Sequence, residues 1–109
     1  MTSKLKDTDT NEKLENIMQQ ISQLKPYLEQ HYHIKSIGVF GSFVRKEQQT
    51  HSDLDLLVEF SQAVSLLTFI EIENKLSSYL GFKVDLVMKK TLKPRIGQQI
   101  LSEVVMIPG

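Results

Sequence analysis

The sequence has no cysteine, no excess of either charge and no long hydrophobic run. Without cysteine there is neither a disulfide framework nor a thiolate zinc site, and a reducing cytoplasm is compatible with the composition. Thirteen Lys and Arg stand against thirteen Asp and Glu. That balance removes the basic surplus behind non-specific nucleic-acid binding and argues against DNA or RNA as the main partner. The longest purely apolar stretch is four residues, at 104–107, far short of a membrane span. The polar start, residues 1–10, lacks the apolar core of a secretory signal. A soluble, cytoplasmic protein without a membrane role is expected. What is present is ordinary: 109 residues, 40% of them hydrophobic and 24% charged, suit one globular domain with one modest core. No repeat, linker or low-complexity run divides it.

Residues 1–9 are polar and mixed in charge, the composition of a disordered tail, so the domain is expected over residues 10–109. From Asn11, the apolar residues Leu14, Ile17, Met18, Ile21, Leu24 and Leu28 recur at helical spacing. Asp9 and Glu12 offer a cap, and Pro26 predicts a kink near Lys25 before the helix runs on towards Tyr32. Residues 34–40 read as a β-strand ending on Gly41 and Ser42; residues 53–60 and 82–88 read as two more. Between those two, Leu66, Phe69, Ile70, Glu73, Leu76 and Leu80 mark a helix from a Ser65 start to a Gly81 stop. A last helix is predicted over 91–103, with Pro94 in its first turn and Ile96, Ile100 and Leu101 facing inward, followed by an apolar tail. The fold class is therefore α/β: a small mixed sheet of about three strands with helices mainly on one face.

The chemistry concentrates in the second strand. Asp53 and Asp55 are two residues apart and share a face, while Leu54, Leu56 and Val58 face the core. Like charges on one strand face repel, so packing alone would not select them, and such violations gather at functional sites. Carboxylates at this spacing can hold a pair of divalent cations for an in-line phosphoryl or nucleotidyl transfer, and hard oxygen donors favour magnesium. Alone, the pair reads better as a solvated strand end. Ten residues separate it from Ser42, where the turn after the first strand exposes backbone N–H groups and a hydroxyl to an anion. Gly41 leaves room for a phosphate, although by itself it reads as a turn glycine. A third carboxylate, Asp85, lies on the strand at 82–88, opposite Val84 and Leu86 in facing; it could serve the site or form an ion pair with Lys83.

In this combination the sequence resembles the minimal nucleotidyltransferase family of the DNA polymerase beta-like superfamily. The resemblance covers nearly the whole chain, from the helix before residues 34–45 to residues 92–105. It implies the nucleotidyltransferase fold. It also implies that Asp53 and Asp55 bind magnesium, that Asp85 joins them as ligand or base, and that Gly41 and Ser42 hold the triphosphate of ATP. Arg45 and Ser52 match recurrent positions close to the nucleotide. One departure is Lys46, where relatives commonly carry Gly. Family members of this size act as antitoxins paired with a HEPN-domain ribonuclease toxin, transferring AMP from ATP to a tyrosine of the toxin. The implied activity is thus that of a protein adenylyltransferase, able to assemble with its partner as an oligomer.

Other residues carry weaker signals. His31, His33 and His51 lack companions at metal-ligand spacing and read as solvated. Met18 and Met88 sit at core spacing, Lys89 and Lys90 suit a solvated strand end, and Phe43, Val44 and residues 104–107 suggest an exposed partner surface. A rival reading is an antitoxin that binds and occludes its partner without chemistry. An Asp-x-Asp sugar transferase needs a larger nucleotide-sugar domain than this chain supplies, and transfer to a small antibiotic needs a dedicated acceptor pocket for which the chain is short.

Overall fold

The computed structural model describes residues 2–45 and 53–108. The chain forms helix α1 (Thr2–Tyr32), strand β1 (Ile34–Phe40), the single turn of helix α2 (Ser42–Arg45) and strand β2 (Leu54–Phe60). Helix α3 (Leu66–Leu80), strand β3 (Val84–Met88), a 3₁₀ turn (Lys89–Thr91), helix α4 (Pro94–Glu103) and strand β4 (Val105–Met106) follow. The sheet order is β3-β2-β1-β4. Strands β2 and β3 run parallel, and β1 is antiparallel to both β2 and β4. The expected mixed sheet is present, with a fourth edge strand where the sequence pattern predicts only an apolar tail. Two residues are too few to display a strand's alternation.

Alternation does fix which face of the sheet is buried. Ile37 and Val39 of β1, Leu54, Leu56 and Val58 of β2, and Val84 and Leu86 of β3 all point into one core. Helices α1 and α3 cover them with Ile17, Ile21 and Leu28 from one side and Ile72 and Leu76 from the other. The two helices are also joined by the Tyr32 hydroxyl, which donates to Glu71 at 2.6 Å. That hydrogen bond, helped by burial, raises the Tyr32 phenol above its ordinary pKa.

The ends of α3 lie where the sequence places them. Ser65 Oγ accepts the Thr68 N–H at 3.1 Å, and Gly81, at φ +85°, donates its N–H to the Ser77 carbonyl. The ends of β1 also match. Elsewhere the structure departs from expectation. Helix α1 starts at Thr2, so residues 2–9 continue it instead of forming a tail, and Asp9 falls inside the helix and not at its cap. No Gly or Pro stands in that segment to stop the helix. As expected, the helix runs on past Pro26 to Tyr32.

In α4, Ile96 and Leu101 do not face inward; they are 53% and 46% exposed. The buried position is Gly97, where a Cβ would meet the Leu92 side chain at 3.3 Å. Ile100 is half-buried. Phe43, expected on a partner surface, is buried and stacks on Phe82 with ring centroids 5.8 Å apart. Among the described residues, no helix is long and apolar enough to cross a membrane.

Candidate active site

Strand direction explains how residues distant in sequence meet. An antiparallel neighbour brings the end of β1 to the start of β2, and a parallel neighbour brings the start of β3 to the same place. The register is Phe40 opposite Asp55 and Asp55 opposite Asp85. Adjacent strands lie about 4.8 Å apart, so Asp55 and Asp85 are side-by-side carboxylates, and the Gly41–Ser42 turn follows directly from Phe40. Asp53 stands just ahead of β2, where Lys83 Nζ lies 3.7 Å from its carboxylate.

The turn and Asp55 are packed against each other. Gly41 has φ +83°, and a Cβ there would collide with the Asp55 carboxylate, with Cγ only 3.0 Å away. Glycine is therefore required twice, by backbone conformation and by space. The α2 turn closes through the Val44 and Arg45 N–H groups, both donating to the Gly41 carbonyl at 3.1 Å.

The electrostatics of Asp55 follow from this crowding. Burial first, then the charges of Asp85 and Asp53, hold its carboxyl above the ordinary carboxylate range; Arg45 pulls it down, and Glu103 adds to the rise. Asp85, in contrast, is exposed to solvent. Lys83, weighed as its ion-pair partner, lies instead against Asp53.

Glu103 was not singled out by sequence. Its Oε2 accepts the Gly41 N–H at 3.1 Å and an Arg45 Nη1 hydrogen at 2.9 Å. The backbone donor expected to be open at Gly41 thus already holds an anion, the protein's own. The only signal for this was the pairing of β1 with β4. Val39 is opposite Val105, so two residues further along β1 and two before Val105 bring Gly41 and Glu103 together. Ser42 is partly exposed on the same turn. Ser52, Lys46 and His51 lie outside the described residues.

As a donor set, Asp53, Asp55 and Asp85 offer only hard, anionic oxygens, the chemistry suited to magnesium. Burial first, and then the neighbouring carboxylates, disfavour the Asp55 charge, and a cation there would offset both. Among the described residues no group of three or more His, Cys, Asp or Glu side chains is arranged to hold a metal ion; the three aspartates are neighbours at the sheet end and not a formed ion site.

Comparison with known proteins agrees with this geometry. The family described as "Polymerase beta, Nucleotidyltransferase" matches residues 22–108. The protein adenylyltransferase MntA of Thermococcus cleftensis is 46% identical over 94 residues, covering 86% of this chain and 95% of its own. A solved structure provisionally described as a minimal nucleotidyltransferase is 34% identical, with a TM-score of 0.67, over 77% of this chain and 86% of its own. A complex of a tri-AMPylated HEPN toxin from Shewanella oneidensis with an MNT antitoxin shares the fold, with a TM-score of 0.61 at 22% identity, over 84% of this chain and 72% of that one. Match and site together establish that the chain belongs to the polymerase beta nucleotidyltransferase family, in its minimal nucleotidyltransferase branch.

Proposed function

We propose that this protein transfers AMP from ATP to a hydroxyl group, a tyrosine of a HEPN-class ribonuclease toxin, and so acts as an antitoxin in the cytoplasm. The observation that carries the reading is the placement of Asp55 opposite Asp85 and against Gly41. It gathers acidic groups beside a glycine turn. The relatives' names supply the reaction class and the kind of partner.

In this reading the Ser42 hydroxyl and Arg45 orient the phosphates, with Ser52 from the adjoining segment. Asp53, Asp55 and Asp85 would hold magnesium, which when bound offsets the charge that develops on the phosphates. The acceptor oxygen bonds to the α-phosphorus, the bond to pyrophosphate breaks, and the hydroxyl proton passes to a carboxylate. Asp85 suits that last role because it is the most open of the three.

The test is direct: incubate the protein with a HEPN-class partner, ATP and magnesium, and weigh the partner intact. A gain of AMP mass at tyrosine is expected, and its loss on omitting magnesium. A second reading, occlusion without chemistry, draws on the exposed apolar residues Ile96, Leu101, Val105 and Met106. Inhibition of the partner with no mass gain would favour it.

A further inference from the structure

We propose that Glu103 is a positioning residue that fixes Arg45 and the Gly41 turn for the nucleotide phosphates, a role that rests on the transfer reading above. One carboxylate ties both ends of the turn. Its Oε2 takes the Gly41 N–H and Arg45 Nη1, and its Oε1 lies 3.3 Å from the same Nη1. Arginine has large rotamer freedom, and a charge-assisted hydrogen bond of 2.9 Å restricts it. The Glu103 side chain is 19% exposed and that of Arg45 48%. The brace therefore holds the guanidinium from its more buried partner.

A second feature delivers Glu103 to this spot. A Cβ at Gly38 would stand 2.5 Å from Val104 Cγ2 and 2.9 Å from Met106 Sδ. The bare backbone at Gly38 leaves room for the Val104 and Met106 side chains over β1, and the pairing of β4 with β1 sets Glu103 opposite Gly41. The end of α4 thus forms part of the phosphate side of the site.

The opposite role is a placeholder that the triphosphate must evict. Eviction would strand a largely buried carboxylate near Asp55, a group of like charge whose pKa Glu103 already raises, and unpairing it there is costly. Positioning and eviction predict opposite changes in nucleotide affinity.

The experiment measures kcat and KM for ATP with the full chain, a HEPN-class acceptor and magnesium, for Glu103→Gln and Glu103→Ala, with melting temperature as a folding control. Positioning predicts a KM for ATP raised about tenfold to a hundredfold by Glu103→Ala, in line with losses at other orienting partners, with a smaller change in kcat. Glu103→Gln, which keeps size and an acceptor oxygen, should fall between. In an Arg45→Ala background the Glu103→Ala penalty should shrink to less than about threefold, because coupled residues are not additive. A KM unchanged or lowered, or a penalty undiminished without Arg45, overturns the proposal. Asp55→Asn is run in parallel: its inactivity beside wild-type-like Glu103 variants rejects the positioning role alone, whereas its full activity rejects the transfer reading beneath it.

Discussion

Two neighbouring residues, Gly41 and Asp55, hold opposite kinds of tension. Gly41 relieves a conformation that other residues resist, while Asp55 carries a charge its surroundings disfavour. Gly41→Ala should cost about 1–2 kcal/mol from backbone conformation alone, with the collision against Asp55 in addition, measurable by urea unfolding. For Asp55 the folded-state pKa is raised, so protonation favours the folded form. Its contribution is fully present below the ordinary carboxylate value of 3.8 and is lost as pH rises through the higher folded value. Without divalent cation at neutral pH, Asp55→Asn should therefore raise the melting temperature, and added magnesium should stabilise the wild type more than the variant. A lower melting temperature for the variant would contradict this account. The aspartates were legible from their spacing. Glu103 was not, because nothing local distinguishes it from a solvated glutamate at a helix end.

Among elements, α3 was the most legible, since Ser65 and Gly81 act on the backbone within one turn of themselves. Ser65→Ala should cost about 1 kcal/mol through loss of the cap, checked by thermal or urea unfolding. A Cβ at Gly81 meets nothing within 4 Å, so Gly81→Ala tests backbone conformation without a clash and should be milder than Gly41→Ala. Strand β1 and the inward residues of β2 were legible for the same reason: alternation is local. What escaped depends on distant partners. Strand β4 exists because β1 offers it an edge beside Gly38. Likewise, Phe43 could be placed as buried only once Phe82 was known to meet it.

For the molecule as a whole, the decisive property is topology. One antiparallel and one parallel neighbour of β2 bring the Gly41–Ser42 turn, Asp55 and Asp85 to the same sheet end. The sequence motif implies such a meeting only through resemblance; the strand register supplies its physical cause. The core beneath keeps that register. Ile72 and Leu76 are fully buried against the sheet, so Ile72→Ala should lose about 2–5 kcal/mol of stability, read by urea unfolding. The central claim, that these carboxylates carry nucleotidyl transfer, is tested most directly by the rate of AMP transfer from ATP to a HEPN-class acceptor for wild type and Asp55→Asn. A fall of several decades, equivalent to several kcal/mol of transition-state stabilisation, is predicted. A folded variant transferring AMP within tenfold of the wild-type rate would contradict it.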